Sequence, residues 1–232
     1  MSIQQQVQAV RARMAAAAES SGRRPEDIAL CAATKVQSDD TIRAAIAAGI
    51  TLCGENRVQE LTAHLAAGAY EGARVHFIGH LQTNKVKQVV GKVDLIESVD
   101  RMELLECIEK TAAKLGIVQP ILLEINIGAE ESKSGFSQEE IWQTVEKMAD
   151  FPHCRLRGLM AIPPISLHPG DNRRYFAEMR NLFVDISEKK YDNVDMECLS
   201  MGMSGDYADA IAEGATMIRV GTAIFGPRNY NV

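Results

Sequence analysis

Apolar residues along this chain gather into short runs, and a stretch with helical spacing follows almost every run. Ile28 to Thr34 is the first run. A strand covered on both faces has this near-continuous apolar character, without the alternation of a half-exposed strand. Thr51 to Cys53, Val75 to Ile78, Val93 to Val99, Ile121 to Ile127, Leu156 to Ile162, Met196 to Leu199 and Met217 to Val220 repeat the pattern. The intervening segments predict helices over Ser38 to Ala48, Val58 to Ala67, a stretch ending near Gly91, Arg101 to Leu115, Ser137 to Ala149, Asn172 to Glu188 and Ser204 to Ala212. Gly49, Gly68 and Gly116 act as stops. Ahead of the first strand, Gln4 to Ala18 sets Val7, Val10, Met14 and Ala17 at helical spacing, and Ser20 to Pro25 ends that helix. It is expected to cover the bottom or side of the fold.

Eight strands, the first seven each followed by a helix, predict an α/β fold: a single (β/α)8 TIM barrel with an extra N-terminal helix. An open doubly wound sheet is the alternative, but eight strands in this length fit a closed barrel better. No linker, low-complexity segment or shift of composition divides residues 1–232, so they are expected to form one domain. In a barrel the active site lies at the C-terminal ends of the strands. Lys35 ends the first strand, Asn56 follows the second and His80 the third. Asn126 lies near the end of the fifth, Met160 and Ile162 end the sixth, Ser200 ends the seventh, and Arg219 and Thr222 lie in and just after the eighth. Polar residues therefore converge on one rim.

Lys35 closes the apolar run Leu30-Cys31-Ala32-Ala33-Thr34. A half-shielded amine loses its proton more readily and can attack a carbonyl, which makes Lys35 a candidate Schiff-base lysine. At the far end of the chain, Leu199-Ser200-Met201-Gly202-Met203-Ser204-Gly205-Asp206 and Arg219-Val220-Gly221-Thr222 follow strands seven and eight. Loops at those two positions often build the phosphate site of a barrel, and their glycines let the backbone approach a ligand. An amine, a phosphate cradle and an arginine together suggest pyridoxal 5′-phosphate (PLP). A Schiff-base aldolase without PLP stays open on these residues alone.

Composition narrows the remaining classes. The net charge of −6 offers no basic footprint for nucleic acid. No apolar run reaches the ~20 residues of a membrane span, and the N-terminus lacks the basic and apolar segments of a signal peptide. The five cysteines, 31, 53, 107, 154 and 198, are odd in number and include no C-x-x-C pair. They read as reduced thiols of a cytoplasmic protein, with no disulfide or metal site. Most of the ten methionines read as core filler, Met160 being the one expected near the ring. His64 is expected on the solvated face of its helix. His80 is read either as a cofactor neighbour or as a loop cap, and Asn56 and Asn84 as ligand contacts or loop organisers.

Several motifs in order resemble the pyridoxal phosphate homeostasis proteins: Ala33-Thr34-Lys35, Gly54-Glu55-Asn56-Arg57-Val58-Gln59-Glu60, His76-Phe77-Ile78-Gly79-His80-Leu81-Gln82-Thr83-Asn84-Lys85, Glu131-Ser132-Lys133-Ser134-Gly135, Gly158-Leu159-Met160, Leu199 to Ser204 and Arg219 to Gly226. The resemblance covers nearly the whole chain. It implies an alanine-racemase-like barrel with PLP on Lys35, phosphate contacts from Ser200, Ser204, Gly221 and Thr222, and Arg219 at the pyridine nitrogen. Many relatives carry a second lysine where this chain has Gln37. Bacterial alanine racemases add a C-terminal β domain that supplies a catalytic tyrosine. Here the only late tyrosine is Tyr230, in a tail too short for such a domain. The resemblance therefore implies a protein with no catalytic activity that holds PLP and affects amino-acid and keto-acid metabolism indirectly, with PLP-dependent apoenzymes as recipients. The chain is expected to be a monomer. A weak PLP-dependent racemase is the alternative.

Overall fold

The computed structural model describes residues 1–130, 133–165, 168 and 170–227. Eight parallel strands close a barrel in chain order: Ala29–Ala33 (β1), Leu52–Glu55 (β2), Arg74–Phe77 (β3), Leu95–Val99 (β4), Gln119–Ile125 (β5), Cys154–Ala161 (β6), Val194–Ser200 (β7) and Met217–Val220 (β8). The seam between β1 and β8 pairs Cys31 with Arg219 and Ala32 with Val220. The strand leading to Lys35 thus lies beside the strand carrying the late arginine.

Helices Asp39–Ala47 (α2), Val58–Ala66 (α3), Met102–Leu115 (α4), Gln138–Glu146 (α5), Arg173–Lys189 (α6), Tyr207–Ala212 (α7) and Thr222–Phe225 (α8) surround the barrel. The link after β3 departs from expectation. It is a 3-10 helix, Thr83–Gln88, and not an α-helix reaching Gly91. The buried residues there are the valines 86, 89 and 90. Branching at Cβ disfavours the α-helix, and a 3-10 turn stacks positions i and i+3 on one side, placing Val86 and Val89 inward together.

The N-terminal helix, Ile3–Ser20 (α1), begins with a capping box between Ser2 and Gln5 and buries Val7, Val10, Met14 and Ala18. It packs against α7, α8 and α2. Arg11 donates to the Gly49 carbonyl at 2.6 Å, and Arg23 to the carbonyls of Ile211 and Ala215 at 2.9 and 2.7 Å. The helix therefore covers the barrel's side, while Arg11 and Met14 also border a cleft at its N-terminal end. No helix among the described residues is long and apolar enough to cross a membrane.

The main core lies between strands and helices, around Phe77, Leu104, Ile108 and Phe176. Each such side chain contributes roughly 1.5–3 kcal/mol by leaving water. Inside the barrel, Cys31, Leu52 and Met217 form one apolar layer, and Leu95, Leu122 and Met160 another. Where β6 meets β7 the register shifts between Leu156 and Gly158. Gly158 has φ +142°, and a Cβ there would lie 1.8 Å from the Cys198 carbonyl oxygen, so no other residue fits this approach. The shift brings Met160 opposite Ser200.

Candidate functional site

A cavity of about 600 Å³ opens at the C-terminal rim. Lys35, Asn56, His80, Ser204, Arg219, Gly221 and Thr222 all border it, which brings together seven of the nine expected site residues. Lys35 stands two residues beyond the end of β1, and Gln37 Nε2 lies 3.5 Å from its carbonyl oxygen. The next residue, Val36, has φ +62°. A β-branched residue rarely occupies that region, so the turn that aims Lys35 is strained. The Val36 N–H donates to Glu60 Oε2 at 2.7 Å, which holds the turn in place.

The opposite wall gathers backbone amides. Ser204 Oγ accepts from the N–H groups of Gly221 and Ala223, both at 3.3 Å, and so ties the loop after β7 to the loop after β8. The amides of Ser204, Gly205 and Thr222 have no protein acceptor among the described residues. Backbone N–H groups gathered at one concavity favour a phosphate. Asn56 Oδ1 is buried at the cavity without a partner. Gly79 lies over it so closely that a Cβ would stand 2.2 Å from the Asn56 carbonyl oxygen. His80 sits at the mouth with its side chain 53 % exposed and Nδ1 2.9 Å from Asp100 Oδ2. Lys133 is a second amine at the mouth, paired with Glu130 and donating to the Pro163 carbonyl at 3.1 Å.

Ser200 and Met160 lie lower than their expected places. Ser200 is fully buried. Its hydroxyl donates to Glu97 Oε2 at 2.6 Å and accepts from Arg219 Nη1 at 2.5 Å. It therefore sits beneath the arginine and away from the loop amides. Met160 is fully buried against Leu95 and Leu122, and Ile162 is the residue beyond it that borders the cavity. Two residues of a strand that point inward occupy successive levels of the barrel, and only the later one reaches the rim. His64 also departs from its expected place, being 8 % exposed, with Nδ1 2.5 Å from Asp39 Oδ1.

Below the cavity lies a chain of polar groups that the sequence did not expose. Arg219 donates to Ser200 and, through Nη2, to the Ala161 carbonyl at 2.9 Å. Glu97 lies 3.8 Å from Arg219 Nη1, and its other oxygen accepts from His76 Nδ1 at 2.6 Å. Burial alone would raise the Glu97 pKa, but the His76 hydrogen bond and the charges of His76 and Arg219 outweigh it and hold the carboxyl below its ordinary value. Glu124, at the cavity wall, has no such support. Burial and the charge of Asp100 push it up to about 7, against the opposing pull of Arg219. Both glutamates interrupt apolar strands, which is the one sequence signal that marks them.

Fold and rim together define a barrel of the alanine racemase N-terminal type whose mouth presents an amine, a group of acceptor-free amides and a buried arginine. The family profile described as alanine racemase, N-terminal domain, matches residues 6–229. The pyridoxal phosphate homeostasis protein of Aquifex aeolicus is 43 % identical over 218 residues, covering 94 % of this chain and 95 % of its own. A crystal structure of an unknown protein from Bifidobacterium adolescentis superposes with a TM-score of 0.89 at 39 % identity, covering 96 % of this chain and 94 % of its own. PipY of Synechococcus elongatus, solved with PLP bound, gives a TM-score of 0.84 at 31 % identity over 97 % of this chain and all of its own. The chain belongs to the alanine racemase N-terminal domain family, in its branch of pyridoxal phosphate homeostasis proteins.

Proposed function

We propose that the chain binds PLP in the rim cavity, with Lys35 as covalent anchor, and serves in keeping and supplying the cofactor rather than in catalysis. The observation that carries this reading is the meeting of Lys35, the acceptor-free amides of Ser204, Gly205 and Thr222, and Arg219 on one cavity. The donor set fits the group: amides and the Ser204 hydroxyl for a phosphate, an amine for an aldehyde, and a guanidinium for a ring nitrogen. The PLP-bound PipY relative supports the same assignment. When bound, the cofactor supplies a reactive aldehyde and an electron sink.

The residues of the chain decide how far that chemistry goes. Ser204, Gly221 and Thr222 hold the phosphate end, while Asn56 and His80 border the ring. Arg219 can only donate hydrogen bonds, so a ring nitrogen facing it must accept and stay unprotonated, which weakens the sink. Ser200 and Glu97 keep the guanidinium in place. The chain acts as a monomer in the cytoplasm, hands PLP to apoenzymes that require it, and so affects amino-acid and keto-acid metabolism indirectly.

One observation favours a second reading, a weak amino-acid racemase. Racemisation needs an acid or base on each face of the reacting carbon, and Glu124, with its pKa raised to about 7, borders the cavity along with Lys35. Titration of the protein with PLP, combined with assays on L- and D-alanine, separates the readings. Saturable uptake that Lys35→Ala abolishes, with racemisation at background, supports the holder. A turnover of about one per second, within the usual enzyme range, that falls in Glu124→Gln establishes the racemase. Failure to take up PLP leaves neither.

A further inference from the structure

Behind the barrel wall, on the helix side of β2, a polar cluster takes no part in the rim cavity. Glu55 ends β2, and Glu60 and His64 stand one turn apart on α3. A carboxylate oxygen of each glutamate and a ring nitrogen of His64 lie within 4.8 Å of one another. His64 Nδ1 is already engaged by Asp39 at 2.5 Å, which leaves Nε2 as the lone-pair nitrogen. That Nε2 is buried with no hydrogen-bond partner, on a residue only 8 % exposed. Native folds seldom leave such an acceptor dry and unpaired. Charge adds to the imbalance. Asp39, Glu55 and Glu60 gather three carboxylates, with Arg57 3.0 Å from Glu60 Oε1.

We propose that Glu55, Glu60 and His64 form a binding site for a divalent transition-metal ion. His64 Nε2 and one oxygen from each glutamate are the ligands, and Asp39 fixes the imidazole from outside, as carboxylates behind metal-bound histidines do. Mixed imidazole and carboxylate ligands suit Zn²⁺ and its neighbours better than soft or purely oxygen-seeking ions. Ligands of a tetrahedral ion bound at about 2.0–2.2 Å stand about 3.3 Å apart, so the cluster must contract. The Glu60 side chain is 23 % exposed and its Oε1 is held only by the solvent-exposed Arg57, so that oxygen can turn to close the gap, and Asp39 beside it is 38 % exposed.

The ion would brace two loops of the rim. Glu60 Oε2 accepts the N–H of strained Val36, next to Lys35, and Glu55 Oε1 accepts the N–H groups of Asn56 and Arg57 at 2.8 and 3.4 Å. Thr34 and Tyr70 donate to Glu55 Oε2 at 3.2 Å each, both long for O–H···O bonds, so an ion on that oxygen displaces a weak contact. The inference does not depend on PLP.

The test titrates the full chain, freed of metal by chelation, with Zn²⁺ by calorimetry and with Co²⁺ by visible absorption. One saturable equivalent is expected. Glu60→Gln, which keeps an acceptor for Val36, and His64→Gln should each weaken binding at least tenfold, and Asp39→Asn by about tenfold because the imidazole loses the carboxylate that orients it. Circular dichroism checks that each variant is folded. Absence of saturable binding up to about 1 mM ion, weaker than any specific structural site, would overturn the proposal. So would an unchanged affinity in folded Glu60→Gln.

Discussion

Glu97 lies inside the barrel with no exposure, taking a hydrogen bond from His76 on one oxygen and from Ser200 on the other. Through Ser200 it positions Arg219. Removing its charge with Glu97→Gln leaves a buried guanidinium without its counter-ion, which typically costs about 3–5 kcal/mol. Urea unfolding at pH 7 should register a loss of that order, and PLP binding should weaken with it. The pH dependence has a definite sign. The folded pKa of Glu97 lies below the ordinary glutamate value of 4.5, so the contribution is complete above 4.5 and fades as pH falls through the lower folded value. Between pH 5 and 3 the wild type should therefore lose more stability than Glu97→Gln. Glu124 runs the other way. In the unfolded chain it titrates near 4.5, but the fold keeps its proton up to about 7. Stability then falls as pH rises across that window, by up to about 3 kcal/mol for a shift of this size. Glu124→Gln should stabilise the PLP-free protein at pH 8 and leave it little changed at pH 4.

At the scale of elements, β6 and β7 set the height of the site, and Gly158 sets their approach. Gly158→Ala would drive a Cβ into the Cys198 carbonyl and also strain φ +142°. The variant should lose more than about 3 kcal/mol or fail to fold, beyond the usual cost of a surface change, and thermal melts would show it. The strands themselves were legible because buried parallel strands read as apolar runs with glycine at their ends. β7, Val194–Ser200, is longer than its apolar run Met196 to Leu199. Asp195 and Glu197 resemble loop residues until they are paired across the sheet with Arg155 and Arg157 of β6. The 3-10 link after β3 was hidden because valines at i and i+3 fit either helix type. The interior chain of His76, Glu97 and Ser200 was hidden for a related reason. In a strand buried on both faces, no alternation shows which residues point into the barrel. His64 misled because helix position alone does not reveal that Asp39 covers it.

The whole molecule closes on itself through β1 and β8, so each terminal strand completes the same sheet. One cooperative unfolding transition is expected, with fluorescence and circular dichroism tracing coincident curves. Two separated transitions would contradict the single domain read from the sequence. At this scale the alternation of strand and helix was enough to give the barrel, and the barrel placed Lys35 and Arg219 on one rim. Two glycine loops were legible as loops bordering the cavity. The depth of Ser200 and Met160 was not, since depth depends on strand register. The central claim is that this rim holds PLP through Lys35, and borohydride reduction of the PLP-loaded protein followed by peptide mapping tests it most directly. The account predicts one pyridoxyl group, on the peptide containing Lys35, and none in Lys35→Ala. A label found chiefly on Lys133 or Lys85, or persisting at full yield in Lys35→Ala, would contradict it.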